Sequence, residues 1–306
     1  MTEMKKYHSI VRLGHKSTHD VLKEGDKIIV QEKIDGANAS FRKDGDIIRA
    51  FSRNKELNEE NNLGGFYQWV QENIDIDQLV EEGIYFGEWT NPHKVKYPEY
   101  QKKFFLFDIF DTETSRYIDF KLVKNQSELL NVNLVPVFYE GEYKSFEHLE
   151  QFIGQTFLGG QLGDKKTGEG VVVKNIDYRD RFGEQLFVKL VAPEFREVQK
   201  QKAPKNPIRV ETEEQKFIKT VITEARVEKI LYKLVDEGKL DPRFGIEDMG
   251  NVLKIGSGLI LDDVLNEESD LLPEDYEIKD VKKSLGKYFP QVVKQVINNQ
   301  EKLSLV

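Results

Sequence analysis

The sequence predicts an α+β protein in which a domain built on antiparallel sheet precedes a small all-helical domain. Three observations carry this. Up to residue 191 the apolar residues come in short β-branched and aromatic runs separated by Gly, Asp and Asn, the punctuation of strands and hairpins. After Pro204 and Pro207 the spacing becomes helical, opened by Thr212-Glu213-Glu214-Gln215, a capping-box pattern. No run of period-2 strands follows Pro207. The expected division is a sheet domain over 1–204, a linker over 205–211 and a helical domain over 212–306.

In chain order, residues 5–20 hold Lys5, Lys6, Arg12 and Lys16 with His8, His15 and His19. His15 and His19 have the spacing of a helical metal pair, but no H-E-x-x-H pattern accompanies them, so surface histidines are expected. Strands are expected at 28–30, 37–41 and 47–51, the last two joined by a turn at Lys43-Asp44-Gly45-Asp46. The stretch Glu32-Lys33-Ile34-Asp35-Gly36 follows the first of them. A lysine ending a strand beside a Gly-containing turn is placed to act as a nucleophile, provided that desolvation or neighbouring cations free its amine. Alone, the pattern reads more readily as a hairpin turn beside a solvated lysine. Ser52-Arg53-Asn54 closes the hairpin, and its arginine could face the same pocket.

A short amphipathic helix is expected over 62–73, then strands over 84–90 and 104–111. Each strand holds a carboxylate among aromatics, Glu88 in the first and Asp108 in the second. A carboxylate inside such a run is costly unless it is paired or binds a cation. Helical stretches near 120–130 and 145–155 flank a strand at 134–139. The Gly-rich loop 159–168 lacks the ending of a phosphate-binding loop and reads as a mobile connection. It leads into Glu169-Gly170-Val171-Val172-Val173-Lys174, in which simple alternation puts Glu169 and Lys174 on opposite faces unless Gly170 forms a bulge. The strand at 186–191 carries Lys189. Apolar residues at helical spacing then run to Gly238, and over 246–265 and 276–298. Gly256-Ser257-Gly258 lacks the preceding strand and third glycine of a dinucleotide fingerprint and is discounted.

Composition narrows the function. No apolar run is long enough to span a bilayer and the first residues lack a signal segment, so a soluble, cytoplasmic protein without membrane contact is expected. The absence of cysteine excludes disulfides, thiolate catalysis and Cys-bound zinc. A net charge of −9 argues against non-specific coating of nucleic acid. Between Lys189 and Arg209, however, six cations face two acids, a candidate phosphate-facing seam.

Taken in order, Lys33-Ile34-Asp35-Gly36, Ser52-Arg53-Asn54, Phe86-Gly87-Glu88, Phe104 to Phe110, Glu169 to Lys174 and Phe187-Val188-Lys189-Leu190 resemble the successive motifs of the covalent nucleotidyltransferase superfamily, the polynucleotide ligases and mRNA capping enzymes. The resemblance covers roughly residues 8–195. It implies an antiparallel-sheet nucleotidyltransferase domain of the ATP-grasp-like, ligase adenylylation type. The short lead before Lys33 and the helical end are similar to the phage-type nick-sealing RNA ligases. One departure is Phe187, where those ligases carry the first of two lysines; Lys189 beside Lys174, or Arg196, would have to serve.

The resemblance implies an ATP-dependent RNA ligase that uses Mg²⁺ or Mn²⁺. Lys33 would attack ATP to give lysyl-AMP, AMP would pass to an RNA 5′-phosphate, and an RNA 3′-hydroxyl would displace it, the substrate being a nicked duplex and the enzyme a monomer. By the same resemblance Lys174 and Lys189 hold the α-phosphate and keep Lys33 unprotonated. Glu32 accepts from the adenine amino group, Phe107 stacks on the base and Glu88 binds the ribose. Asp35 and Gly36 complete the nucleotide pocket, and Arg53 contacts nucleotide and RNA end. Glu169, helped by Asp108, positions the metal waters. Alternatives are a GTP-dependent capping-type or DNA-sealing enzyme, which the missing β-barrel domain disfavours, and an inactive RNA-end-binding protein.

Overall fold

The computed structural model describes residues 4–180, 182–197 and 211–304, and the chain divides into two compact units, Met1–Ala192 and Pro193–Val306. The expected boundary at residue 204 lies outside the described residues. So do 205–210 of the expected linker, and Lys200, Lys202, Lys205 and Arg209 of the basic seam.

The first unit runs β1 (Val11–Arg12), β2 (Lys27–Lys33), β3 (Ala37–Asp44), β4 (Ile47–Ser52), α1 (Phe66–Asn73), β5 (Gly83–Trp89), β6 (Phe104–Asp111), β7 (Arg116–Tyr117) and α2 (Phe120–Leu129). It continues through β8 (Asn133–Leu134), β9 (Val137–Glu142), α3 (Phe146–Glu150), β10 (Gln161–Leu162), β11 (Lys165–Lys166), β12 (Gly170–Asn175) and β13 (Phe187–Val191). Two large sheets form, ordered β1-β13-β12-β2-β9 and β4-β3-β5-β6-β7, with β8 on β6, beside a two-stranded one of β10 and β11. Their ladders are antiparallel except for β1 on β13 and β8 on β6.

The continuous apolar runs form central strands because both of their faces are covered. Tyr7, Phe86, Val172 and Phe187 join the two sheets in one cluster. Behind the second sheet, Phe41, Trp89 and Phe104 pack with Phe66 of α1 and Val123 of α2, and behind the first, Val30 and Val173 pack with Leu149 of α3. The helix expected over 145–155 is therefore a single short one, capped by the Ser145 hydroxyl on the His148 amide. The expected strand at 134–139 is split around Pro136 into β8 and β9, since proline cannot donate to a ladder. The Gly-rich loop, expected to be mobile, instead makes the β10–β11 hairpin, with Gly163 at φ +57° in its turn.

In β6 the pairing shifts between Phe86 and Gly87: Asp108 faces Phe86 but Leu106 faces Gly87, leaving Phe107 as an extra residue. Such a bulge bends its strand and re-aims side chains. Phe107 and Asp108, neighbours that alternation would send to opposite faces, both turn toward the inter-sheet cluster, where Phe107 meets Tyr7 at a ring separation of 4.8 Å.

The second unit holds α4 (Glu213–Val221), α5 (Glu224–Asp236), α6 (Met249–Glu267) and α7 (Ile278–Ser304) around one apolar core. Both bonds of the Thr212–Gln215 capping box are present. The helical run expected to reach Gly238 is two helices, because Thr223 caps α5 through the Arg226 amide. Gly256 lies inside α6 against the Phe289 ring, a packing role. The fully buried Arg226 donates to Asp263 and, at 2.6 Å, to Glu268, and Lys229 pairs with Glu197, Asp263 and Glu267. Glu197, Asp263 and Glu267 cluster closely enough to bind a cation, but these two basic side chains already neutralise them. Among the described residues no helix is long and apolar enough to cross a membrane.

Candidate active site

Directly opposed residues in neighbouring strands share a face of the sheet. Lys33 opposes Gly170, Lys174 opposes Ile29 on β2 and Phe187 on β13, and Val172 opposes both Gln31 and Lys189. The amines of Lys33, Lys174 and Lys189 therefore rise from one face of the first sheet, the face that packs on the second sheet through Val172 and Phe187. Phe187, where a lysine was expected, places a buried ring among them, with the Lys174 amine 5.2 Å from its centroid.

At the end of β2, Lys33 Nζ donates to both oxygens of Glu169 at 2.6 Å. No bulge interrupts β12; Glu169 precedes the strand, so alternation does not bind it, and it reaches the face that Lys33 occupies. Burial pushes the Glu169 carboxyl above its ordinary range, against the opposing field of Lys33 and Lys189. Cations were expected around Lys33. The group touching its amine is an anion, positioned to receive a proton.

The turn after Lys33 is tied down on every side. Asp35 accepts from the Val95 amide at 2.7 Å and lies 3.4 Å from His93 Nδ1, while its own amide donates to the Tyr97 hydroxyl at 3.0 Å. Burial alone would raise the Asp35 pKa; the bonds from His93 and Val95, with the charge of Lys33, outweigh it and hold the carboxyl below its ordinary value. Gly36 donates to Glu88 Oε1 at 3.1 Å. A Cβ at Gly36 would stand 2.6 Å from the Trp89 carbonyl oxygen, so only glycine allows this approach. Burial drives the Glu88 carboxyl up to about 8, despite Lys33 and His93, so near neutrality it carries a proton and can both donate and accept.

Lys174 belongs to a second cluster, four strand positions from Lys33. Its amine is 2.8 Å from Asp108 and donates to the Phe107 carbonyl at 2.9 Å, and Asp108 also accepts from the Tyr7 hydroxyl. Burial raises the Asp108 pKa and lowers that of Lys174, each opposed by the partner's charge. Asp108, expected to help Glu169 with the metal waters, is engaged here with a buried lysine and the Tyr7 hydroxyl. Arg53 lies on this side, 3.5 Å from the Ser9 hydroxyl, with its field felt at Tyr7 and His8.

Glu32 also departs from expectation. Alternation turns it to the face opposite Lys33, where it is 1% exposed and accepts from the Thr156 hydroxyl at 2.6 Å and the Phe157 amide at 2.9 Å. Of the two histidines expected at the surface, His15 and His19, only His19 is exposed. His15 caps the short turn at Lys16–Thr18, and His8 stacks on Tyr7 beside Lys174, where burial first and the charges of Lys174, Arg53 and Lys5 next push it down to about 3.

Sequence reasoning missed Tyr7, His93 and Tyr97. They lie outside any strand with a readable period, and only tertiary pairing with Asp108 and Asp35 reveals them.

No curated protein matches this sequence. Solved structures are similar in fold at low identity. The Naegleria gruberi RNA ligase with PPi is 20% identical with a TM-score of 0.43, covering 63% of this chain and 57% of that one. A mutant of the same ligase with ATP and Mn gives 20% identity, a TM-score of 0.46 and the same coverages, 63% and 57%. An archaeal ATP-dependent RNA ligase is 16% identical with a TM-score of 0.48, covering 96% of this chain and 66% of that one. This chain therefore spans 57% of the length of the Naegleria ligase chains. Residues 26–191, which hold Lys33 and all the side chains that gather around it and around Lys174 except Tyr7 and His8, match the family described as RNA ligase, and the chain belongs to that family.

Proposed function

We propose that this chain is an ATP-dependent RNA ligase that joins a 3′-hydroxyl to a 5′-phosphate through lysyl-AMP and RNA-adenylate intermediates. The observation that carries the reading is Lys33: a strand-end amine, 2.6 Å from a carboxylate of raised proton affinity, on the face that also bears Lys174 and Lys189, inside the segment that matches the RNA ligase family.

In the first step the Lys33 nitrogen attacks the α-phosphorus of ATP; a P–N bond forms, the P–O bond to pyrophosphate breaks, and Glu169 takes the proton that the amine must lose. Such phosphoryl transfer is served chiefly by positioning and charge neutralisation. Lys189 and Lys174 supply cations on the same face, Phe107, re-aimed by the bulge in β6, supplies a ring for the base, and protonated Glu88 fits a ribose hydroxyl. The residues present fit a divalent metal in one respect: Glu169 is a carboxylate at the reacting end whose side chain is 14% exposed. Bound there, Mg²⁺ or Mn²⁺ would neutralise phosphate charge, held by Glu169 through water. Asp35 and Gly36 fix the turn, and Arg53 would contact the incoming RNA end.

We further read the helical unit that begins at Pro193 as the part that grips a nicked duplex, and the enzyme as a monomer of the cytoplasm. The test is incubation with α-labelled ATP and Mg²⁺ followed by denaturing electrophoresis and acid. Native protein should carry an acid-labile label, and Lys33→Met should carry none while keeping its melting temperature. Label retained on Lys33→Met, or label from GTP alone, would refute the assignment.

A further inference from the structure

The loops that flank the Lys33 turn also build a groove that the first ligation step does not use. Pro98, Glu99, Tyr100, Phe157, Leu158, Gln161 and Lys166 line an opening of about 300 Å³, large enough for one nucleobase. Phe157 is 64% exposed, an unusual state for a phenylalanine beside a cavity, and its ring is braced from behind by Phe138 at 4.9 Å. Its backbone amide is bonded to Glu32, the residue before Lys33, so the groove is fixed to the strand that carries the nucleophile. The Lys96 and Gln161 backbones exchange two hydrogen bonds of 2.8 Å, which fasten the loop from β5 to β6 onto the β10–β11 hairpin.

Charge points to the occupant. Lys166 and Glu99 line the opening itself, and the two segments that carry it, 94–103 and 157–166, add Lys94, Lys96, Lys102, Lys103 and Lys165 against only Asp164 around it, a segment excess of four positive charges on a chain whose net charge is −9. Exposed rings interleaved with amines are the pattern of single-stranded nucleic-acid binding: bases stack on the rings whatever their sequence, and phosphates meet the amines. An apolar peptide would gain nothing from that surplus.

We propose that this groove is a stacking site for an unpaired nucleotide of the RNA substrate, with its base on Phe157 and Tyr100 and its phosphate at Lys166. The proposal rests on the ligase reading for the identity of the polymer, but its test is separable. The full-length protein is compared with Phe157→Ala, Phe157→Trp and Lys166→Ala in two assays: binding of a fluorescent oligouridylate by anisotropy at several salt concentrations, and self-adenylylation with labelled ATP. Phe157→Ala should weaken RNA binding by about 5- to 150-fold, the range for losing one stacked base, and Phe157→Trp should restore it. Lys166→Ala should reduce the slope of log affinity against log salt by about 0.7, one phosphate contact on a single strand. ATP dependence of adenylylation should be unchanged in all three. Unchanged RNA affinity in Phe157→Ala would overturn the proposal. So would a raised KM for ATP with RNA affinity intact, which would assign the groove to the nucleotide. If the native chain forms no adenylate yet Phe157→Ala loses RNA binding, the ligase reading fails and the groove stands.

Discussion

The Asp108–Lys174 pair offers the sharpest test of the site's electrostatics, because both side chains are almost completely buried, 6% exposed each. Asp108→Asn keeps an acceptor for the Tyr7 hydroxyl and removes only the charge, leaving the Lys174 ammonium uncompensated between the sheets. Breaking a buried pair in this way costs about 3–5 kcal/mol. For a unit of this size each kcal/mol lowers the melting temperature by about 2–4 °C, so a fall of roughly 6–20 °C is expected. Lys174→Met alone should cost less, since the orphaned Asp108 can take up a proton, and less still at low pH. The double variant Asp108→Asn with Lys174→Met contains no buried charge and should return to within about 2 kcal/mol of the native protein. The readout is convenient: the two tryptophans, Trp69 and Trp89, both lie in the first unit with their rings 5.7 Å apart, so their fluorescence follows that unit alone. If Asp108→Asn melts with the native protein, or if the double variant loses the sum of the singles, the two groups do not compensate each other and the account of Lys174 is wrong.

Three further outcomes follow from the same geometry. Glu88 has a folded pKa of about 8 against 4.5 when unfolded, so its contribution to stability is complete below 4.5 and is lost as pH rises toward 8, at no more than about 1.4 kcal/mol per pH unit; melting temperatures measured across that window should slope downward in the native protein and flatten in Glu88→Gln, and equal slopes would refute the assignment. Gly36→Ala would drive a Cβ to 2.6 Å from the Trp89 carbonyl oxygen, so the turn should shift, at a cost of about 1–3 kcal/mol, and self-adenylylation should fall while the helical unit is unaffected; a native labelling rate would show that the turn tolerates the methyl. In the helical unit, Arg226→Met strands the buried Glu268, and far-UV ellipticity, dominated there by helix, should melt at least 6 °C earlier, a loss of about 3 kcal/mol or more; an unchanged helical transition would mean that the network is not what secures α5.

The elements that could be read directly were those whose signal is local. The run at 104–111, the hairpin around Gly45 and the capping box at Thr212 each carry their own period or turn chemistry, and each stands where it was expected. Where a tertiary partner decides, the sequence was silent. Alternation could not show that Phe107 and Asp108 share a face, because the bulge that puts them there depends on how β6 registers against β5. Nor could it show that Glu169 reaches Lys33, because Glu169 stands just before β12, where alternation no longer fixes its side. The break between α4 and α5 was hidden because apolar spacing continues through it, and only the Thr223 hydroxyl marks it. The polar residues of the site were legible as a set; their pairings were not.

Those pairings carry a consequence for how a nucleotide enters. Three amines on one sheet face would repel one another and draw water between the sheets unless each had an anion nearby. Lys174 has Asp108 and Lys33 has Glu169, while Lys189 acts on Glu169 from the neighbouring strand. The two pairs differ in depth. Lys174 and Asp108 are sealed, whereas the Lys33 side chain is 24% exposed and that of Glu169 is 14% exposed. A phosphate arriving at this face can therefore displace the Lys33–Glu169 pair at modest cost, but not the Lys174–Asp108 pair, whose opening would leave a charge in an apolar cluster. The shallow pair is the exchangeable one, and it is the pair that holds the nucleophile. Glu169→Gln keeps a hydrogen-bonding group at Lys33 and an oxygen for a metal-bound water but can no longer take the proton. ATP binding should survive this change, whereas the rate of adenylate formation should fall by at least about 100-fold, the usual contribution of a positioned base. Rapid-quench kinetics at saturating ATP would read that rate directly, and a native value would exclude Glu169 as the proton acceptor.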